Sequence, residues 1–224
     1  MVDLASEMAQ LWTSLGAPIP GHGRVLSFVA ASQGEGASTI AREFASFAAE
    51  RVKRNVWLVD LDVPGSAQMR AFVEEQDRYG VLGREAAGSP DGSTFFTVQP
   101  PMRGADGRPW PPGRYLAAQQ LAKRRLWVTR FRRELLRQGQ SVQVTAGGPY
   151  WSALRQHSDL VVVDCPAAMM ASLMAPARVT SRRSAATTRT VMSMKGAMVR
   201  AARDRLAAGQ STTTRSECWR SADQ

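Results

Sequence analysis

Residues 25–39, VLSFVAASQGEGAST, read as a β-strand running straight into a glycine-rich turn and the first residues of a helix. Val25 to Ala30 form an apolar run suited to a strand covered on both faces. Ala31, four further residues, and then Gly36-Ala37-Ser38 fit the phosphate-loop spacing [AG]-x-x-x-x-G-K-[ST] everywhere except at the lysine. In such a loop the glycines let backbone N–H groups close on phosphates, a Ser or Thr hydroxyl holds Mg²⁺, and the lysine reaches the β- and γ-phosphates. Here the cradle and the hydroxyl are kept and the cation is missing.

Two further hydrophobic runs end in carboxylates. Asn55-Val-Trp-Leu-Val-Asp-Leu-Asp62 reads as a strand with Asp60 and Asp62 at its carboxyl end, and Leu160-Val-Val-Val-Asp164 reads as another, closed by Cys165-Pro166. Aspartates in such places also serve simply as strand-ending turns. Between the strands lie helical patterns: residues 3–15, with Asp3 as a cap, residues from Ile40 through Phe44, Phe47 and Ala48, and Tyr150 to His157. Thr94 to Gln99 and Leu126 to Phe131 read as strands, Arg132 to Arg137 as a solvated helical turn, and Ser141 to Thr145 as a weak strand or a helix continuation. Strands alternating with helices imply a mainly parallel sheet covered on both faces, an α/β fold. In such sheets ligands bind outside the carboxyl ends of the strands, where all three motifs fall.

A chain of 224 residues favours one domain of ordinary size. No stretch approaches the ~18 apolar residues of a membrane helix, and no basic-then-apolar leader opens the chain, so neither a span nor a secretion signal is expected. Cys165 and Cys218 are the only cysteines. They provide no disulfide framework and no metal-ligand spacing, which fits a reducing cytoplasm. The formal charge of +10 is uneven: Met169 to Gln224 carries ten Lys/Arg against three acids, +7, and the preceding residues carry 19 against 16, +3. Residues 1–168 therefore read as the folded domain and 169–224 as a basic Ser/Thr/Arg-rich tail without core strands. Two explanations account for the tail, disorder or a change of reading frame near Met169. A helix at Lys195 to Ala208 is compatible with either. A basic tail can contact nucleic acid, but no nucleic-acid motif accompanies it and none is expected as a partner.

Taken together, Gly34-Glu35-Gly36-Ala37-Ser38-Thr39, Val59-Asp60-Leu61-Asp62-Val63 and Val161-Val162-Val163-Asp164-Cys165-Pro166 resemble the bacterial tyrosine kinase family. These are cytoplasmic P-loop partners of polysaccharide chain-length regulators. The resemblance covers roughly residues 4–168 and implies a three-layer α/β/α P-loop NTPase-like fold. It implies ATP and Mg²⁺ as ligands, with Gln33, Gly34, Glu35, Gly36, Ala37, Ser38 and Thr39 around the phosphates. Ser38, Asp62 and Asp164 would hold the metal and its waters, and Asp60 and Asp62 would serve catalysis. It also implies a membrane-embedded polysaccharide chain-length regulator (co-polymerase) as partner, hence a cytoplasmic protein peripheral to the inner membrane, in exopolysaccharide, capsule or holdfast synthesis and export.

Departures from the family pattern weaken the kinase reading. Ala37 replaces the lysine, and a charge-assisted hydrogen bond is worth about 1.5–3 kcal/mol, roughly 10- to 150-fold in affinity. A cation at transferring phosphate matters more for rate, on the order of 10³–10⁵ for an arginine finger. Arg42, one turn along the helix, is expected to point away from the loop. The family's tyrosine-rich tail is missing, since Tyr79, Tyr115 and Tyr150 are the only tyrosines. Its E-x-x-R-x-x-R ring-assembly helix matches Glu7, Gln10 and Thr13, so a homo-oligomer would lack both arginines. Pro64 also stands where the second motif carries arginine. A degenerate, regulatory member is the leading expectation; the alternatives are an active ATPase of the septum-site or partition class, and an adaptor that binds no nucleotide.

Overall fold

The computed structural model describes residues 4–16, 21–30, 32–63, 65–145, 148–165 and 190–193. Its centre is set by three strands: β1 (Arg24–Val29), β2 (Val56–Asp60) and β8 (Leu160–Cys165). Every residue of β2 and β8 is buried, as expected of Val- and Leu-rich strands with both faces covered. The remaining strands are β3 (Leu82–Ala87), β4 (Phe96–Gln99), β5 (Leu116–Leu121), β6 (Leu126–Phe131), β7 (Ser141–Val144) and β9 (Thr190–Ser193). Seven of them form one mixed sheet in the order β3-β5-β6-β2-β8-β1-β9. From β6 to β9 neighbouring strands are parallel, and β5 and β3 extend the sheet antiparallel. β4 and β7 pair separately and antiparallel.

The expected α/β class with a mainly parallel sheet holds, and the strand alternation gives each face its own core. On one face Leu26, Phe28, Val56, Leu58, Val128 and Val162 meet three helices, α1 (Ala5–Ser14), α2 (Ala37–Ala49) and α3 (Ala67–Glu74). A short helix, α4 (Gln76–Tyr79), follows α3. Helix α2 lays Ile40, Ala41, Phe44, Ala45 and Ala48 on the sheet, a stripe at helical spacing. Its alanines permit close approach, and Phe44 fills the gap between Phe28 and Trp12 at ring separations of 5.7 and 6.4 Å. Truncating such a buried phenylalanine to alanine costs about 3–5 kcal/mol.

The opposite face is covered by a helix together with a small sheet. Val59, Val161 and Val163 are covered by α5 (Pro149–His157), through Tyr150 and Leu154, and by the β4–β7 pair, through Phe96 and Val98. A small sheet thus supplies part of one outer layer.

The tail also departs from expectation. No core strand was anticipated beyond Ala168, yet Thr190–Ser193 pairs in parallel with Leu26–Val29. Among the described residues it lies at the sheet's edge, and an edge strand requires no long apolar run. Asp3, the proposed Lys195–Ala208 helix and most of the 169–224 segment lie outside the described residues.

Candidate functional site

Strand order brings the three motifs together. β1 and β8 lie side by side, and β8 separates β1 from β2. Among the described residues, the sheet strand next in sequence after β1 is β2, on one side, and after β8 it is β9, on the other. Adjacent strands from which the chain departs in opposite directions open a crevice at their carboxyl ends. The glycine-rich loop follows β1 there. Asp60 is the last residue of β2 and is paired across the sheet with Asp164.

Two glycines set the backbone of the loop after β1. Gly34 and Gly36 both stand at φ +84°, in the left-handed region that glycine enters without strain. No atom lies within 4 Å of where a Cβ would sit on either. Gln33, Gly34 and Gly36 are exposed, Glu35 and Thr39 half-buried. Helix α2 begins at Ala37, whose methyl is buried, with Gly36 as the N-cap and no side chain capping the end. Its free N–H groups and dipole therefore remain available to an anion. Ala31, Pro64 and Pro166 lie outside the described residues.

One residue that the sequence did not single out joins the motifs. Gln68, fully buried near the start of α3, donates from Nε2 to Asp164 Oδ2 at 2.6 Å and to the Ser38 carbonyl at 2.8 Å. Ser38 Oγ donates to Asp164 Oδ1 at 3.1 Å. Both oxygens of Asp164 are thus engaged. The backbone N–H of Gln68 also donates to Asp60 Oδ2 at 2.9 Å. Gln68 lies eight positions after Asp60, where the chain returns from the Asp-x-Asp turn into a helix. That position is the only clue in the sequence, and a lone glutamine carries no motif.

Asp60 ends its strand in a side-chain turn. Its Oδ1 accepts the N–H of Asp62 at 2.8 Å, while Oδ2 holds α3. Its own N–H donates to Thr129 Oγ1 on β6 at 3.1 Å. Burial raises its pKa from 3.8 to about 7, the Gln68 and Asp62 N–H groups opposing this and the Asp164 charge adding to it. Asp164 is raised chiefly by burial, against the hydrogen bonds of Gln68 and Ser38. Asp62 has left the strand and is half-buried, its Oδ1 accepting the Gly65 N–H at 3.3 Å. It is the most accessible of the three carboxylates.

Arg42 does not stand in for the missing ammonium. Its buried guanidinium donates to Gln68 Oε1 at 3.3 Å and to Tyr79 Oη at 3.2 Å, and pairs with Glu75 at 3.6 Å. Tyr79 in turn donates to Glu43. The arginine therefore braces Gln68 from beneath the site and is committed there.

Among the described residues no three His, Cys, Asp or Glu side chains converge as a metal-ligand cluster. The oxygen donors present, the Ser38 hydroxyl with Asp164 and Asp62, suit a hard cation that keeps most of its water, as Mg²⁺ does. Comparisons with protein-family models, curated proteins and solved structures gave no match for this chain.

Proposed function

We propose that this chain is a kinase-like P-loop protein with a degenerate nucleotide site, acting as a regulator of surface-polysaccharide synthesis and export. The observation that carries the first part is the contact of Ser38 with Asp164 beside an uncapped helix start and two left-handed glycines, with Ala37 at the lysine position. The loop N–H groups would receive phosphate, and Ser38, with Asp164 and Asp62, would hold hydrated Mg²⁺, which when bound neutralises phosphate charge. Asp60 positions the Asp62 turn and α3. With the ammonium replaced by a methyl, phosphate binding is weak and phosphoryl transfer slow. The polysaccharide pathway and the docking on a membrane chain-length regulator rest on the Gly-Glu-Gly loop and the resemblance it carries.

Calorimetric titration with ATP·Mg²⁺ tests the site. Ala37→Lys is expected to tighten binding by roughly 10- to 150-fold, and Ser38→Ala to abolish its Mg²⁺ dependence. Tight wild-type binding with rapid turnover contradicts the proposal.

One observation favours the adaptor reading instead. Ser38, Gln68, Asp60 and Asp164 are joined by hydrogen bonds to one another. If neither the wild type nor Ala37→Lys binds nucleotide, the cluster is purely structural.

A further inference from the structure

The end of the sheet opposite the candidate site carries the opposite charge. β5 turns into β6 through Ala122–Arg125, and the Arg125 carbonyl accepts the N–H of Val56 at the amino end of β2. Leu82 of β3 pairs with Leu121, which places Arg84 at this same end. Arg84, Lys123, Arg124 and Arg125 line a groove of about 670 Å³ that reaches the last turn of α2. Among the described residues only Arg124 of these four has an acidic partner, Glu50 at 3.4 Å, and Glu50 is the one carboxylate in the groove. Arg51 and Lys53, both exposed, continue the basic surface beside it, Arg125 bonding the Val52 carbonyl between them.

An apolar residue stands next to these cations. Val81 is 59% exposed, one of two large apolar side chains so exposed among the described residues, and its carbonyl accepts the N–H of Ala122 at the turn. An exposed valine beside a cationic turn matches the boundary of an anionic bilayer, where charge meets headgroup phosphate and the apolar side chain enters the interface. A nucleic-acid strand would instead stack its bases on open aromatic faces, whereas the aromatic lining this groove, Trp127, is half-buried with one face stacked on Trp57 at 5.4 Å.

We infer that the groove formed by Arg84 and the Lys123–Arg125 turn binds the anionic lipid surface of a membrane directly. The candidate nucleotide site then faces away from the bilayer, because it lies at the other end of the same parallel strands. This contact is independent of the nucleotide site and of any membrane partner protein.

The test is sedimentation of the full chain with vesicles of phosphatidylcholine alone and with one-third phosphatidylglycerol. Binding is expected to the anionic vesicles only, and to weaken with salt. Each cation near such a surface contributes roughly fivefold in affinity, so Arg84→Ser with Lys123→Ser should bind about 25-fold more weakly. Arg84→Lys with Lys123→Arg should bind as the wild type does. Lys123 sits at φ +62°, so Lys123→Gly removes charge while relaxing the backbone. It should lose about fivefold in binding without losing stability. Unchanged binding of the double serine variant would assign lipid contact to the basic tail and overturn the inference. So would equal binding to neutral vesicles, no binding to either, or a double-variant defect seen with a single-stranded oligonucleotide and not with vesicles.

Discussion

The side-chain amide of Gln68 and the carboxylate of Asp164 meet at 2.6 Å across 96 positions of sequence. The same nitrogen reaches the Ser38 carbonyl, and the amide oxygen receives Arg42. One uncharged side chain therefore aligns the helix after β1, the end of β8 and, through its backbone, the end of β2.

Gln68→Leu keeps the volume and removes every polar contact of that side chain. Asp164, Ser38 and Arg42 each lose a buried partner, and an unsatisfied buried group costs about 1–3 kcal/mol. Because these groups relax together, a total loss of about 3 kcal/mol is expected. Urea denaturation should show a lowered midpoint with an unchanged slope.

Asp60 gives stability a pH dependence of unusual sign. Its carboxyl titrates at 3.8 when free and at about 7 when folded, so between those values the native state binds more protons than the unfolded chain. Its contribution is fully present below pH ~4 and is lost as pH rises through about 7. At about 1.4 kcal/mol per pH unit the whole effect is roughly 4 kcal/mol. Asp60→Asn cannot ionise, so its stability relative to the wild type should improve steadily from pH 4 to 8 in urea titrations. A flat difference would show that burial does not hold the proton.

Tyrosine phosphorylation of the folded chain is not expected. Tyr79, Tyr115 and Tyr150 are exposed by only 2, 1 and 0%, and each would have to leave the core to reach a phosphoryl donor. Incubation with ATP·Mg²⁺, alone or with an active tyrosine kinase, should leave all three unmodified by mass spectrometry. Chain unfolded beforehand should accept phosphate from the active kinase.

Gly36→Ala isolates the conformation of the loop from its contacts. A Cβ there meets nothing within 4 Å, so the cost is the left-handed φ of +84° alone. About 1 kcal/mol of stability should be lost. Any residual nucleotide affinity should fall with it, because the strained residue swings the first N–H groups of α2 out of line. Thermal unfolding and calorimetry on the same preparation separate the two effects.

The central strands were legible because burial on both faces demands continuous apolar sequence, and VVVDC and VWLVD supply it. The hydrophobic stripe of α2 was equally clear, as were Leu126–Phe131 and the helix at Pro149–His157. β5, Leu-Ala-Ala-Gln-Gln-Leu, is not legible as a strand because its alanines and glutamines carry no strand signature; its place is fixed by pairing with β3 and β6. β3 is an exposed edge, Leu-Gly-Arg-Glu-Ala-Ala, and edges need little hydrophobicity. At the site, Ser38, Asp60, Asp62 and Asp164 were visible from the motifs. Their bridging residue was not, since a glutamine buried in a short amphipathic helix looks like any other polar helix position. The commitment of Arg42 to Gln68 and Tyr79 has no sequence signature, because it depends on where α3 and α4 pack.

The placement of β8 between β1 and β2 has a consequence for biosynthesis. Neither early strand touches the other, and the partner they share emerges from the ribosome about a hundred residues after β2. Until then β1 lacks both of its neighbours, β8 and β9, and β2 lacks one, and contacts so distant in sequence form slowly. A product ending before Leu160 would be a substrate for chaperones and proteases and not a smaller working domain.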